Sequence, residues 1–284
     1  MSSVDDETLF STEPVPTDMT SVLPTVDNSS LSSEQTPTMS NIFLSSEPNP
    51  TTAVPDSSNL LLKPEIVSIK QYPFVVAIYE NNVFAQIGTI LSKYYVLTHK
   101  FAVIAGGKIR EKVSVRAGAT RLYKKTKIYR AISVWILRED NCSELAILRV
   151  NKPFVFNNDT QPVILADPDD NFSLESPGTI INWPWAWPDN VRKASKDHRL
   201  RISHIQSVNK HCEKYYSPAE IKRCHFDCIP HLQGSEIAAP GAPYMIDGKQ
   251  AAYVVWSSEN KKRPNAIEWI SSRRKFIDKV ISSG

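Results

Sequence analysis

The stretch that decides the fold reads Ala239-Pro240-Gly241-Ala242-Pro243-Tyr244-Met245-Ile246-Asp247-Gly248 and continues as Ala252-Tyr253-Val254-Val255-Trp256. Turn residues alternate here with short apolar runs, a pattern typical of β-strands joined by loops. Pro240 stands out because proline has neither a hydroxyl group nor a backbone N–H. Residue 240 can therefore act neither as an oxygen nucleophile nor as a backbone hydrogen-bond donor.

This stretch resembles the GDSGGP loop and the following GIVSWG strand of trypsin-like serine proteases, with Pro240 at the position of the reactive serine. The resemblance implies the loss of the attacking oxygen together with one of the two amides of the oxyanion hole. A chain that lacks both is not expected to form an acyl-enzyme.

The resemblance extends from about residue 66 to residue 284. Residues 72–78 are similar to the family's PYQVSL strand, and residues 88–98 are similar to the segment that ends in WVLTA. The family continues with AAHC, so Phe101 falls at the position of the general base. His99 comes two residues early, and two residues of strand displace a side chain by about 6 to 7 Å. We therefore interpret His99 as an ordinary polar or partly buried histidine.

Residues 144–150 read ELAILRV and resemble the family's DIALLKL segment, which puts Glu144 at the position of the third triad member. Because the aligned partner is Phe101, Glu144 has no imidazole to orient. We expect a solvated or locally hydrogen-bonded carboxylate. An active serine endopeptidase with a relocated triad is the alternative, and it would need a new base and a new nucleophile together.

Other family features are lost in pairs. The cystine beside the catalytic histidine would join the positions of Gln86 and Ala102, and another bridge would use Glu236. Ile66 resembles the start of a mature protease, but Ala239 replaces the aspartate that would pair with the new N-terminus. A lone buried ammonium is costly, so we expect no zymogen cleavage of this kind.

Composition divides the chain near residue 62. Residues 1–62 contain nine acidic and no basic residues, which leaves residues 63–284 with a net charge of +12. Ser, Thr and Pro supply 29 of those first 62 residues, so we predict a disordered tail, either a glycosylated stalk or an acidic interaction segment. Residues 63–284 are predicted to form a trypsin-like domain.

Short runs of Val, Ile, Tyr and Thr from residue 63 onward predict an all-β fold. The resemblance implies two six-stranded antiparallel β-barrels, with residues 157–162 joining the first to the second. Apolar residues at 269, 270, 276, 277, 280 and 281 have helical spacing and match the family's closing C-terminal helix.

The four cysteines are Cys142, Cys212, Cys224 and Cys228. The resemblance implies a disulfide between Cys212 and Cys224, whereas Cys142 and Cys228 have no family counterpart and are left unassigned. The competing interpretation is a zinc site formed by Cys212, Cys224, Cys228 and His231, but the spacing fits no strong zinc pattern. We predict neither a metal nor a cofactor.

The resemblance implies a non-catalytic serine protease homologue that acts as a cofactor, decoy or regulator in a proteolytic pathway. Its partner would be a protease, a protease substrate or an inhibitor. Part of the substrate cleft is expected to persist, because Trp256 matches the tryptophan of the substrate strand, although Ser257 replaces a glycine. The pocket floor falls near Gly234 or Ser235 and has no aspartate for a basic side chain.

Basic residues cluster at 116–127, 192–201, 261–263 and 273–275, so the alternative is binding of a polyanion such as a heparin-like glycan or a nucleic acid.

Residues 1–10 show no secretory signal pattern, and no apolar run is long enough to span a membrane. The resemblance and the sequons at Asn28, Asn141, Asn158 and Asn171 nevertheless favour an extracellular protein.

Overall fold

The computed structural model describes residues 64–105, 108–137, 143–173, 175–183, 185–186, 193–194, 198–205, 212–230, 232, 238–257 and 264–283. The predicted tail, residues 1–62, lies outside these ranges. The described strands are β1 (Glu65–Ile66), β2 (Val75–Glu80), β3 (Val83–Ile90), β4 (Tyr95–His99), β5 (Ile104–Ala105), β6 (Lys108–Ile109), β7 (Val113–Ala117), β8 (Ile128–Ile136), β9 (Leu145–Val150), β10 (Gly178–Asn182), β11 (Trp185–Ala186), β12 (Lys193–Ala194), β13 (Arg201–Ile205), β14 (Phe226–Ile229), β15 (Pro243–Ile246), β16 (Lys249–Trp256) and β17 (Asn265–Trp269).

Strands β2, β3, β4, β9, β8 and β7 form a closed six-stranded barrel. The barrel closes because β2 pairs antiparallel with both β3 and β7. In the pairing of β4 with β9, His99 lies opposite Leu145. Phe101 follows one of these strands and Glu144 precedes the other, so both lie at the same end of the barrel.

The second half of the chain builds a seven-stranded sheet in the order β1-β13-β10-β15-β16-β17-β14. Six of these strands follow the barrel in sequence, and β1 joins them from before it by pairing with β13. Strands β15 and β16 are connected at Asp247 and Gly248, which both have positive φ. The all-β, trypsin-like fold class predicted from the sequence is confirmed. The second unit differs from the predicted six-stranded barrel, because among the described residues it is a seven-stranded sheet that β1 joins at one edge.

Two α-helices complete the described fold, α1 (Pro218–Cys224) and α2 (Arg274–Ser282). Ile277 and Val280 of α2 pack in one apolar cluster with residues of β4 and β9. The helix begins later than the apolar spacing predicted, because Trp269 ends β17 and Ser271–Arg273 forms a 3-10 turn before α2. At the end of β17, Trp269 pairs with Ala252 of β16, so Trp269 belongs to the sheet and not to the helix. None of the described helices is long and apolar enough to cross a lipid bilayer.

Candidate active site

The loop before β15 has a defined backbone frame around Pro240. The Pro240 carbonyl accepts a hydrogen bond from the Ile87 N–H of β3 at 3.1 Å, and the Gly241 N–H donates to the Val254 carbonyl of β16 at 2.8 Å. Gly241 has φ +81°, and a Cβ atom there would lie 2.0 Å from the Ile87 carbonyl oxygen. The loop therefore needs glycine at residue 241, where it contacts the barrel.

Ala239 and Ile66 are the two residues predicted to stand at the positions of the family's activation pair. The backbone N–H of buried Ala239 donates to Oδ1 of buried Asn182 at 3.0 Å. Ile66 is 47% exposed and pairs with Arg201 as part of the edge strand β1. The two residues thus have separate structural roles, one in the loop and one in the sheet edge.

Phe101 lies in a 3-10 helix, Lys100–Ala102, directly after β4. Its side chain is 47% exposed, and the guanidinium carbon of Arg110 lies 5.9 Å from the ring centroid. The residue predicted at the position of the general base therefore presents a hydrocarbon ring to solvent.

His99 is buried at the N-terminal end of this 3-10 helix. Its Nδ1 accepts a hydrogen bond from the Phe101 N–H at 3.1 Å. Burial, and then the positive charge of Lys100, lowers the pKa of His99 to about 3. Well above pH 3 the His99 imidazole is therefore neutral, and it caps the N-terminal end of the 3-10 helix. This agrees with the interpretation of His99 as a polar or partly buried histidine.

Glu144 lies beside these residues and is paired locally. Its Oε1 is 3.2 Å from Nζ of Lys100, and its Oε2 is 3.6 Å from Nε2 of His99. The second distance is too long for a hydrogen bond, and the imidazole is uncharged, so the lysine is the effective partner. Burial raises the pKa of the Glu144 carboxyl, while Lys100 acts to lower it.

Gln86, noted in the sequence only as a lost half-cystine position, has a structural role that the sequence analysis missed. Its buried amide Nε2 donates to Oγ1 of Thr98 at 2.8 Å and also to the His99 carbonyl. Oγ1 of Thr98 donates in turn to the Ile87 carbonyl at 2.7 Å. The side chain thus connects β3 to β4 close to where the family's cystine would join the corresponding segments. The available signal was an amide inside the mostly apolar strand β3.

A buried ionic cluster, also missed, lies next to Glu144. The Glu268 carboxylate accepts hydrogen bonds from the Tyr253 hydroxyl and from Nε of Arg273. It also accepts one from the Glu144 N–H at 3.3 Å. Because Glu268 and Arg273 are both buried, the cluster is stable only with these partners in place. A glutamate within the short apolar strand β17 was the sequence signal.

This cluster also corrects the predicted basic surface at residues 273–275. Arg273 is buried against Glu268, and Arg274 forms ion pairs of 2.9 Å with both Asp167 and Asp278. Two of the three cations are therefore neutralised within the fold, because the 3-10 turn places Arg273 and the start of α2 places Arg274 next to carboxylates.

The predicted cleft residues are only partly described. Trp256 is 57% exposed and follows a register shift in the pairing of β16 with β17. Oγ of Ser257 is buried and has no hydrogen-bond partner in the described part of the chain. Gly234, Ser235 and Glu236 lie outside the described residues, so the predicted pocket floor is not seen.

The predicted disulfide between Cys212 and Cys224 is wrong. Cys212 is bonded to Cys228, and their Cα atoms are 5.2 Å apart. The chain reverses at α1, so the following strand β14, and not the end of the helix, brings a sulfur against Cys212. Cys224 is also disulfide-bonded, and Cys142 lies outside the described residues.

The disulfides also remove the basis for the zinc interpretation. Three of its four proposed ligands are cysteines engaged in disulfides and cannot act as thiolates. The fourth, His231, lies outside the described residues. Among those that are described, no group of His, Cys, Asp and Glu side chains could hold a metal ion.

A β-barrel paired with a second antiparallel sheet, with the loop of residue 240 between them, defines the class of trypsin-like serine proteases. The family model for Trypsin matches residues 65–274, and the chain belongs to this family.

Solved structures of similar fold include both inactivated and proteolytic proteins. The scabies mite inactivated protease paralogue S-D1 is 17% identical, with a TM-score of 0.64, over 78% of this chain and 97% of that one. Its paralogue S-I1 is 19% identical, with a TM-score of 0.62, over 77% and 99%. Neuropsin, a serine protease of mouse brain, is 16% identical, with a TM-score of 0.60, over 77% and 98%. At these identities the likeness concerns the fold alone.

Proposed function

We propose that this chain is a catalytically inactive member of the trypsin family that acts by binding another protein. The observation that carries the proposal is the anchored loop around Pro240, the residue that the sequence resemblance aligns with the family's nucleophile. Because Gly241 and the Pro240 carbonyl are anchored to β16 and β3, residue 240 cannot be replaced by a neighbour without rebuilding the loop. Proline there supplies neither the attacking oxygen nor an oxyanion N–H.

The base side of the site supports the same proposal. Phe101 has no proton-accepting atom, and the neighbouring His99 uses Nδ1 to accept the Phe101 N–H. With its pKa lowered to about 3, the His99 imidazole is a poor base near neutral pH. Nε2 of His99 lies beside Glu144. These contacts argue against an active endopeptidase with a relocated triad.

A binding role is supported by what the former site exposes. Phe101 and Trp256 present large apolar side chains to solvent at positions where the family handles substrate, and exposed aromatic residues are common at protein interfaces. We propose a protease, a protease substrate or an inhibitor as the partner. The disulfide between Cys212 and Cys228 favours an oxidising, extracellular compartment.

The proposal is tested with an active-site probe. Purified full-length chain is incubated with a fluorophosphonate and with chromogenic peptides, beside an active trypsin-like protease. We expect no labelling and no turnover. The matched control is Ser235→Ala, because stoichiometric labelling that disappears in this variant would identify Ser235 as a nucleophile. Labelling of any serine at that level would overturn the proposal.

A second candidate function, polyanion binding, is supported by the segment between β7 and β8. Residues 112–138 contain no acidic residue, and Arg121, Lys124, Lys125 and Lys127 are exposed. Within the described part of the chain these four side chains make no ion pair. A run of unneutralised cations on one loop attracts sulfated glycans or nucleic acid.

Heparin chromatography tests this second candidate. We expect Lys124→Gln combined with Lys125→Gln to elute at clearly lower salt than the wild type. The matched control, Lys275→Gln with Lys279→Gln, removes the same charge from helix α2, where acidic residues lie nearby, and should change elution less. Equal shifts in the two double variants would show a response to net charge alone and would contradict a specific surface.

A further inference from the structure

An open pocket of about 780 Å³ lies at the β14 end of the seven-stranded sheet. Its apolar walls come from Phe172, Ile221, Phe226 and Trp269, and Asp227 contributes a carboxylate. It shares no residue with the loop of Pro240, with Phe101 or with Glu144. Whatever it binds is therefore separate from the former catalytic chemistry.

The aromatic walls are held in place by neighbouring rings. Phe226 packs edge-on against Tyr216, with ring centroids 4.8 Å apart, and Trp269 packs edge-on against Tyr244 at 6.5 Å. The indole N–H of Trp269 donates to Oδ2 of Asp227 at 2.6 Å. The pocket is thus largely preformed, which limits the ordering cost of binding.

Asp227 is the polar group best placed to orient a ligand. The Trp269 N–H is its one hydrogen-bond donor among the described residues, and no described cation pairs with it. Asp227 is half-buried, and this burial raises the pKa of its carboxyl. A carboxylate held in this way gains more than an exposed one from a bound positive charge.

We propose that this pocket binds an organic cation with an aromatic body, an arylalkylamine, with the ammonium group at Asp227 and the ring among Phe172, Phe226 and Trp269. Aromatic faces attract cations, and they also bury the apolar body of such a ligand. Glu175 at the pocket adds to the attraction, whereas Lys222 and, when protonated, His225 oppose it. A neutral analogue of the same shape brings no positive charge to Asp227, and an anionic analogue is repelled by the carboxylate.

Isothermal titration calorimetry on the full chain compares tryptamine with two analogues, the neutral alcohol tryptophol and the anion indole-3-propionate. We expect saturable binding of tryptamine, at least about tenfold tighter than that of tryptophol, since one charge-assisted hydrogen bond is worth a factor of this order. Equal affinity for tryptamine and tryptophol, or no saturable binding of tryptamine at millimolar concentration, would overturn the proposal.

Two variants locate the site. Asp227→Asn keeps the size of the side chain and an acceptor for Trp269, and should weaken tryptamine about tenfold while leaving tryptophol unchanged. The matched control is Asp169→Asn, an exposed carboxylate outside the pocket, which should leave the affinity for tryptamine as it is. An equal loss in both aspartate variants would contradict the site.

A third variant does not depend on the stability of Asp227→Asn. Lys222 lies on the exposed side of α1, so Lys222→Gln should fold normally. Because it removes a repelling charge, this variant should bind tryptamine more tightly and indole-3-propionate more weakly than the wild type. Unchanged affinities for both compounds would place the binding of tryptamine elsewhere and overturn the proposal.

Discussion

At the residue scale, Pro240 and Phe101 are predicted to stand in place of two reacting groups, and the polar residues around them have partners within the fold. The Ala239 N–H is held by Asn182, and the amide of Gln86 connects β3 with β4. Glu144 pairs with Lys100 and not with an imidazole. Each of these polar groups therefore has a hydrogen-bond or ion-pair partner within the folded domain. Restoring the reacting groups alone would leave these contacts in place.

We therefore predict that Phe101→His combined with Pro240→Ser still gives no measurable protease. Ala238 and Ala242 stand where the family has glycines, and both are fully buried, so the oxyanion donors are not expected to reach the required geometry. Hydrolysis of a chromogenic peptide is measured for the double variant and for each single variant. Turnover well above buffer in the double variant alone would mean that the site is more intact than proposed.

His99 gives a prediction about pH. Its pKa falls from 6.5 in the unfolded chain to about 3 in the fold, so between these values the unfolded state binds a proton that the folded state does not. The stability contributed by neutral His99 is complete above pH 6.5 and is lost as the pH falls toward 3, by up to about 1.4 kcal/mol per pH unit. His99→Gln removes this titration and keeps an acceptor for the Phe101 N–H.

Urea denaturation of both proteins at several values between pH 6.5 and 4.5 measures the effect. The free energy of unfolding should fall less steeply in His99→Gln than in the wild type. The comparison with the wild type is needed because the carboxyl of Glu144 has a raised pKa in the fold. As the pH falls, the folded state protonates Glu144 before the unfolded state does, and this increases the free energy of unfolding. Parallel curves for the two proteins would contradict a neutral, buried His99.

At the scale of elements, the loop of Pro240 is positioned by its contact with β3. Gly241 approaches the Ile87 carbonyl so closely that any side chain would collide with it, whereas Gly248, in the turn between β15 and β16, has a similar φ of +77° and no atom within 4 Å of an added Cβ. Gly248 is therefore required only for its backbone conformation, whereas Gly241 is required both for its conformation and because a side chain would not fit.

We predict that Gly248→Ala costs about 1 to 2 kcal/mol, the usual strain of a left-handed residue. Gly241→Ala should cost at least about 2 kcal/mol more, because the loop or β3 must also move. The midpoints of urea unfolding, at unchanged m-value, measure both losses. Equal losses would show that the loop is free to shift away from the barrel.

At the scale of the whole molecule, composition separates residues 1–62 from the rest of the chain. We predict that limited proteolysis removes this acidic segment while residues from about 63 onward resist, because the segment has too little apolar patterning to form a core. The thermal midpoint of the full chain is compared with that of a variant lacking residues 1–62. A fall of more than a few degrees on deletion would mean that the segment packs on the trypsin-like domain.

The sequence by itself determined the family and the strand pattern, and it predicts which residues stand at the triad positions. These properties depend on local spacing and on residue chemistry, and both can be read directly from the sequence. Pro240 lacks an N–H in any fold, and the apolar runs of the barrel strands predict β-structure before their partners are known.

Only the tertiary structure decided the cysteine pairing, the end of the C-terminal strand and the role of polar residues inside apolar strands. Each of these depends on which segments meet across the chain. Cys228 reaches Cys212 because the chain reverses at α1, and Trp269 belongs to β17 because it pairs with Ala252 of β16. Glu268 and Gln86 remain buried because their donors and acceptors come from other strands and from the turn before α2. The spacing of residues along one segment does not predict partners that are distant in the sequence.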